Sequence, residues 1–370
     1  MTTQTYKKRA VPTLGTLVVL LALTSLYCWW NTDVFGDDAY CDGQLASRDV
    51  GSVLDSAGRI SAVTTQVGTG SERPEFRCAI ERTSRFIGAQ NQRLTLRTGT
   101  ESGSFPFTTA VWKDPASRSY FKDGATGAVS GTGGYVVLPK ACWGKVGAFQ
   151  GSRIVVPDDG AVTTVEAAMD EGSADPAALA RLLTGMAQKV ATDAGCAKPA
   201  PPRPSALAAP SDPKDTNARA VCGLKDFSLP AATLHAGAAE PGTEQVNRAT
   251  AHTWACDLAL SGTSDARLSF AATTDPTTLE AVRNDSEAFD KLPGGKGSAT
   301  TNQALLHCAK SDVYFAARWN PEYESLLMDR ARRAGDPAST AVTLKQTTFQ
   351  NFLDSTAASY GCPRAALSTE

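Results

Sequence analysis

The chain has 370 residues, of which 42% are apolar and 20% are charged, and its formal net charge is −2. This balance is typical of an ordered protein rather than a disordered stalk, and it provides no electrostatic reason to bind nucleic acid. The length allows about two domains.

The first recognisable element is an apolar segment behind a basic cluster. Residues 7–9 are KKR, residues 11–30 are VPTLGTLVVLLALTSLYCWW, and the next charge is Asp33. A helix of this length, rising ~1.5 Å per residue, covers about 30 Å, the thickness of the hydrocarbon core of a bilayer. Because basic flanks stay in the cytoplasm, we predict a single-pass signal anchor in the cell membrane, with residues 1–10 cytoplasmic and the C-terminal bulk outside the cell.

A cleaved signal peptide is the alternative, because the segment has the charged and apolar regions of a secretory signal. It lacks the small residues that a cleavage site needs, since the apolar run continues from Leu26 to Trp30. We therefore favour a retained anchor at 11–30, followed by a short acidic leash at 31–40.

The composition, rich in Ala, Gly, Thr and Pro, and the pattern KKR–LGTLVVLLALTSLYCWW resemble uncharacterised membrane-anchored exported proteins of high-GC actinobacteria. The resemblance is carried best by the first 35 residues. It implies no activity.

Eight further cysteines form two sets of four with similar spacing. The gaps are 37, 64 and 54 residues in the first set and 34, 52 and 54 in the second, and the joint between the sets, KPAPPRPSALAAPSDPKD, has six prolines. Both Cys78 and Cys256 have an aromatic residue two positions before and an aliphatic residue two positions after. We therefore predict a tandem repeat, with one domain at 41–196, a Pro-rich linker at 197–221 and a second domain at 222–370.

An even number of cysteines in an oxidising compartment indicates disulfides. Zinc is disfavoured because no close pair such as C-x-x-C occurs. Four cysteines allow three connectivities in each repeat, and we favour sequential pairing with no bond between the repeats. The favoured pairs are Cys41–Cys78, Cys142–Cys196, Cys222–Cys256 and Cys308–Cys362.

Each repeat has the pattern of an α+β domain. Polar and apolar residues alternate over 93–97 and 266–270, which predicts strands, and helical spacing of apolar residues occurs over 45–63. The first repeat closes with an amphipathic helix that begins after Asp175 and ends before Gly195. We expect each domain to be an antiparallel sheet with its C-terminal helix packed on one face.

No motif assigns a reaction to the chain. The two glycine-rich runs lead into predicted strands rather than helices, so hairpins or loops are favoured over phosphate sites. The three histidines, His235, His252 and His307, do not have the spacing of zinc ligands. We therefore predict no catalytic residue, cofactor or metal. A Ser-His-Asp site stays open, because its partners converge only in three dimensions.

Five aromatic residues lie within 17 positions between the second and third cysteines of the first repeat. Of these, Trp112, Tyr120 and Phe121 are the candidate ligand or partner surface. Additional core is the alternative, and the one to which we give more weight. The favoured function is an extracytoplasmic binding or scaffolding protein of the cell envelope, whose partner is an envelope protein or polymer. The competing function is a cell-envelope hydrolase with its site between the repeats.

Overall fold

The structure is a computed structural model. It describes residues 10–34, 36–68, 73–85, 90–103, 114–122, 124–150, 153–155, 161–197, 206–230, 242–247, 252–259, 266–285, 289–333 and 337–367. This part of the chain is α+β, and it contains two eight-stranded antiparallel sheets.

In chain order the strands are β1 (Ala39–Tyr40), β2 (Leu45–Ala46), β3 (Arg59–Gly68), β4 (Glu75–Thr83), β5 (Gln92–Ser102), β6 (Ser119–Phe121), β7 (Thr126–Ser130), β8 (Gly133–Val137), β9 (Ala148–Gln150), β10 (Arg153–Val155), β11 (Ala161–Glu171), β12 (Leu207–Ala208), β13 (Lys214–Asp215), β14 (Thr243–Asn247), β15 (Thr253–Ala259), β16 (Arg267–Thr273), β17 (Asp290–Lys291), β18 (Gly297–Ala299), β19 (Gln303–His307) and β20 (Asp312–Trp319).

The helices are α1 (Ala10–Asn31), α2 (Ser47–Val53), α3 (Pro176–Asp193), α4 (Pro276–Asp285), α5 (Pro321–Arg333) and α6 (Pro337–Thr356). Among the described residues, no helix combines the length and the apolar character needed to cross a bilayer.

The two sheets have the same strand order. The first sheet runs β3-β4-β5-β11-β8-β7-β6 and the second runs β14-β15-β16-β20-β19-β18-β17. We call the first sheet with α2 and α3 the first unit, and the second sheet with α4, α5 and α6 the second unit. The segment between the cysteine sets is more than a linker, because β12 pairs with β6 of the first unit and β13 pairs with β14 of the second.

Four disulfides stabilise the two units, and none of them joins one unit to the other. They are Cys41–Cys78, Cys142–Cys196, Cys222–Cys256 and Cys308–Cys362, the sequential pairing that the sequence favours. In each unit one bond reaches the second strand of the sheet, and the other links the segment that follows an inner strand to the segment that follows the C-terminal helix. Each helix is therefore covalently tied to the sheet on which it packs.

The C-terminal helices pack as the sequence predicts. Asp175 caps α3 by accepting a hydrogen bond from the Ala178 N–H at 2.7 Å, and Leu179 and Leu183 are buried beneath the helix. Gly195 ends it in the left-handed conformation, with φ 61°. In the second unit, Phe352 of α6 lies at the centre of an aromatic core. Its ring neighbours are Phe227, Trp254, Phe270, Phe315 and Phe349.

The helical spacing over 45–63 is only partly reflected in the structure. A helix covers Ser47–Val53, but the chain then turns and enters β3 at Arg59. Gly58 makes this turn possible, because its φ is 140° and a Cβ there would lie 2.3 Å from the Thr83 carbonyl oxygen. Ile60 therefore belongs to a strand, and its burial comes from the sheet rather than from a longer helix.

Candidate binding cleft between the two units

The two units meet through an apolar cluster on facing parts of the sheets and on α4. Its members are Tyr120, Ala128, Tyr135, Val137 and Val162 of the first unit, and Ala271, Leu279, Ala281, Val282, Leu305, Tyr314 and Ala316 of the second. Gly103 allows the backbones to approach closely here, since a Cβ on it would lie 2.2 Å from the Ala281 carbonyl oxygen. The junction is thus packed like a domain core.

Polar contacts surround this apolar cluster. They are Asp114–Arg267 at 2.6 Å, Ser102–Asp285 at 2.7 Å, Asn247 to the Arg118 carbonyl at 2.6 Å, Thr126–Asp275 at 3.0 Å, and an ion pair between Lys140 and Glu280. Because every one of these pairs joins the two units, the contacts define one relative orientation of the sheets.

Asp257 is a buried carboxyl group at the junction. Its Oδ2 accepts a hydrogen bond from the Ala116 N–H at 2.8 Å, across the boundary between the units. Burial raises the pKa of Asp257 to about 6, against the lowering effect of hydrogen bonds from Ser269 and from the Ala116 N–H. Asp257 does not line either of the larger cavities of the described structure. Its observed role is to join the units.

A cavity of about 680 Å³, which we call the inter-unit cleft, lies beside the junction and has walls from both units. One wall is the face of α3 around Thr184, Gly185 and Ala191. Strand β8 contributes Val136 and Val137 to the floor. The α3 wall is built from small side chains, and their small size provides the depth of the cleft. The second unit closes the opposite side with His252, Asp275, Pro276 and Thr277.

Two polar groups of the inter-unit cleft, Asp275 and His252, are engaged in hydrogen bonds. Asp275 caps α4 by accepting from the Thr278 N–H at 2.8 Å, and it also accepts from the Thr126 hydroxyl. His252 Nδ1 lies 3.3 Å from the Thr274 hydroxyl. Within the described ranges, no group of three or more His, Cys, Asp or Glu side chains could hold a metal ion.

A histidine–carboxylate pair lies on the surface, away from the cleft. His307 Nδ1 lies 2.9 Å from Asp312 Oδ1, and Arg283 contacts the other carboxylate oxygen at 2.7 Å. Burial raises the pKa of Asp312, but hydrogen bonds from His307 and Arg283 outweigh burial and hold that pKa below its usual value. The pair continues through Arg283 to Glu280 and Lys140, so it forms part of an ion network across the junction.

The structure places the predicted aromatic surface residues in different environments. Trp112 lies outside the described residues. Tyr120 is buried in the junction, which matches the core alternative for this residue. Phe121 is buried in the core of the first unit and also lines the cleft. Of the histidines, His252 lies at the cleft, and His235 is outside the described residues.

Sequence reasoning missed the residues that shape the cleft, above all Gly185 and Thr277. The available signal was weak: Gly185 interrupts α3 among good helix formers, and a mid-helix glycine often has a packing or functional reason. No family model, curated protein or solved structure matches this chain. Its function is therefore inferred from its own geometry.

Proposed function

We propose that the protein is a membrane-anchored, extracytoplasmic binding protein of the cell envelope, whose ligand occupies the inter-unit cleft. The observation that carries this proposal is a cavity of about 680 Å³ with walls from both units. Ligand sites are typically concave, largely apolar and equipped with a few hydrogen-bonding groups, and they often lie between domains. The cleft has this character, with aliphatic and small side chains and a few polar ones such as Thr126, Gln188 and Thr277.

The disulfides and α1 support the location. Disulfides persist in oxidising compartments, which favours a location outside the cytoplasm for both units. The large apolar side chains from Leu17 to Leu23 are between 57% and 60% exposed along α1. An apolar helix surface that the rest of the protein does not cover suits a lipid environment, and the basic residues 7–9 suit the cytoplasmic side.

The hydrogen-bond contacts of the polar groups in the cleft favour ligand binding over hydrolysis. A hydrolase would need a nucleophile in contact with a base, or two carboxylates facing the substrate. In the described part of the cleft, Asp275 is engaged as a helix cap and His252 contacts a threonine hydroxyl. These groups can orient a bound ligand, but their contacts are not those of an acid–base pair.

Filling the cleft from either wall tests this proposal. A Cβ on Gly185 meets nothing within 4 Å, so Gly185→Phe should occupy the cleft without disturbing the backbone. Gly185→Ala is the matched control, because it changes the same position but adds only a methyl group. Since Gly185 also borders a smaller cavity near α2, Thr277→Phe provides a second obstruction from the opposite wall.

The full-length protein and its variants would be isolated from native membranes and examined by native mass spectrometry for retained ligand. We expect a bound mass in the wild type and in Gly185→Ala, and its loss in both phenylalanine variants. Retention in both phenylalanine variants would contradict a ligand in the cleft.

Protease digestion of intact cells tests the location: digestion of the two units is expected, and their protection would contradict an extracytoplasmic position.

A further inference from the structure

A second cavity lies on the sheet of the first unit, away from the inter-unit cleft, and is lined by arginine and hydroxyl side chains. It measures about 750 Å³, and we call it the arginine groove. Its charged residues are Arg77, Arg93, Arg97, Arg118, Asp114, Glu166 and Asp170, and its hydroxyl residues are Thr64, Thr95, Ser117, Ser130 and Thr132. The remaining lining residues are Ala79, Gly133, Ala167 and Ala168, so every lining side chain larger than a methyl group carries a charge or a hydroxyl.

The pairing of the strands places the charges in rows on one face of the sheet. Arg97 of β5 lies opposite Arg77 of β4 on one side and opposite Glu166 of β11 on the other. Like charges directly opposite each other on a sheet are destabilising. Arg93 and Thr95 lie on the same face of β5, because side chains alternate along a strand.

Arg97 is held in a fixed orientation. Glu166 Oε2 accepts from Arg97 Nε at 2.8 Å and lies 2.7 Å from its terminal nitrogen, while Glu166 Oε1 accepts from the Thr164 hydroxyl at 2.8 Å. Gly99 leaves room for this carboxylate, because a Cβ there would lie 2.1 Å from Glu166 Oε1. A guanidinium group fixed in this way loses little entropy when it binds an anion.

Among the residues that line the groove, guanidinium groups outnumber carboxylates, although Arg93 also lies opposite Glu81 of β4 and Glu171 of β11. The groove contains four guanidinium groups and three carboxylates, and one of those carboxylates, Asp114, pairs with Arg267 of the second unit. Arg93 and Arg97 remain 39% and 33% exposed despite their acidic neighbours.

The fold does not require these charges, as the second unit demonstrates. Cys78 pairs with Leu96 in the first sheet and Cys256 pairs with Phe270 in the second, so Arg97 corresponds to Ala271. The row of Arg77, Arg97 and Glu166 therefore corresponds to Ala255, Ala271 and Ala316, three buried alanines. The same strand order therefore accommodates a row of charged residues in an open groove of the first unit and a row of buried alanines in the second.

From this arrangement we propose that the arginine groove binds an anionic, polyhydroxylated polymer, with its negative groups on Arg77, Arg93 and Arg97 and its hydroxyl groups on the serine and threonine side chains. Arg93 and Arg97 are four residues apart on one strand, which separates them by about 13 Å. That span exceeds a single phosphate or carboxylate, so the groove suits a repeating ligand. Polyol phosphates and acidic glycans share the required chemistry.

Binding of defined polymers to the purified full-length protein tests this proposal. The probes are poly(glycerol phosphate) and polygalacturonate, with neutral dextran and poly-L-glutamate as comparison polymers. We expect at least one of the first two to bind, with an affinity that falls as salt increases. Binding of poly(glycerol phosphate) alone would identify a polyol phosphate, and binding of polygalacturonate alone would identify an acidic glycan. Equal binding of dextran or of poly-L-glutamate would overturn the proposal.

Two groove variants and one matched control locate the site. Arg93→Gln removes a charge whose contact with Asp170 is long, at 3.7 Å. The double variant Arg97→Gln with Glu166→Gln replaces an ion pair by an amide pair, so that no buried carboxylate is left alone. We expect each to weaken polymer binding about tenfold, since each removes a charged hydrogen-bond donor from the groove.

The control is Arg332→Gln, which makes the same charge change on α5, where the side chain is 66% exposed. Its binding should equal that of the wild type, and so should that of Gly185→Phe, which fills the other cavity. Unchanged affinity in both groove variants, or an equal loss in Arg332→Gln, would refute the proposal. Thermal unfolding of each variant establishes that a loss of binding is not a loss of fold.

Discussion

Asp257→Asn is the substitution for which the structure predicts a stability gain with a defined pH dependence. Asp257 is only 9% exposed, and burial raises its pKa from 3.8 to about 6. Asparagine has nearly the same shape and keeps an oxygen that can accept the Ala116 N–H. It removes the ionised form, which is the form that the buried position disfavours.

The magnitude follows from the pKa of Asp257. In the unfolded chain the carboxyl group releases its proton near pH 3.8, whereas in the folded protein it keeps the proton up to about pH 6. Between these values the folded state binds more protons, so the free energy of unfolding decreases as pH rises. The difference between these two pKa values corresponds to about 3 kcal/mol in the free energy of unfolding. The wild type has lost all of this stability once the pH is above about 6.

Urea unfolding of wild type and variant, with disulfides intact, measures this effect across pH. At about pH 7.5 we expect Asp257→Asn to unfold with a free energy up to about 3 kcal/mol higher than that of the wild type. At about pH 2.5 the two proteins should be equally stable, because the wild-type carboxyl group is then protonated in both states. Intrinsic tryptophan fluorescence provides the signal.

Asp312→Asn is the matched control, with the opposite sign. The pKa of Asp312 is lowered in the folded protein, so its charge stabilises the fold above the pKa of the unfolded chain, and that contribution is lost as pH falls. The substitution should therefore destabilise the protein at neutral pH and have less effect in acid. A difference between Asp257→Asn and wild type that is constant with pH, or a variant that is less stable at neutral pH, would refute the account of Asp257.

Three further substitutions have expected outcomes that urea unfolding can check. Gly103→Ala should cost about 1–3 kcal/mol, because its methyl group would collide with the Ala281 carbonyl oxygen and separate the units; unchanged stability would contradict the close approach. Phe352→Ala should cost about 3–5 kcal/mol, because it empties the centre of the aromatic core, and a cost below 1 kcal/mol would contradict that packing. Gly185→Ala should stabilise α3 by up to about 1 kcal/mol, since the site is helical and open, and destabilisation would indicate a contact that the geometry lacks.

Much of the covalent and local structure could be predicted from the sequence. The cysteine spacings indicated the repetition, and sequential pairing was the favoured one of the three connectivities that each repeat allows. The limits of α3 were also predicted, since Asp175 and Gly195 act on backbone groups only a few residues away. The alternation over 93–97 was enough to place Arg93, Thr95 and Arg97 on one face, but their acidic neighbours on β11 were not identifiable.

The junction escaped prediction for a physical reason. Tyr120 and Trp254 look alike as aromatic residues near predicted strands, yet one is buried between the units and the other stacks on Phe352 inside the second. Helix α4 also went unpredicted, although Asp275 and Pro276 mark its start, because its burial depends on the facing unit.

What the sequence alone determined about this protein was the repetition of the cysteine spacing and two local features, the strand periodicity and the helix ends, which depend on residues close along the chain. The sulfur pairing was only favoured, because the bonded cysteines lie between 34 and 54 positions apart. Only the tertiary structure decided that one sheet carries an alanine row under the junction and the other a charged row in an open groove. The same was true of the cleft between the units. The junction and the cleft depend on contacts between residues more than 100 positions apart, such as Thr126 with Asp275, and chain entropy allows such contacts only when the rest of the fold holds both partners in place.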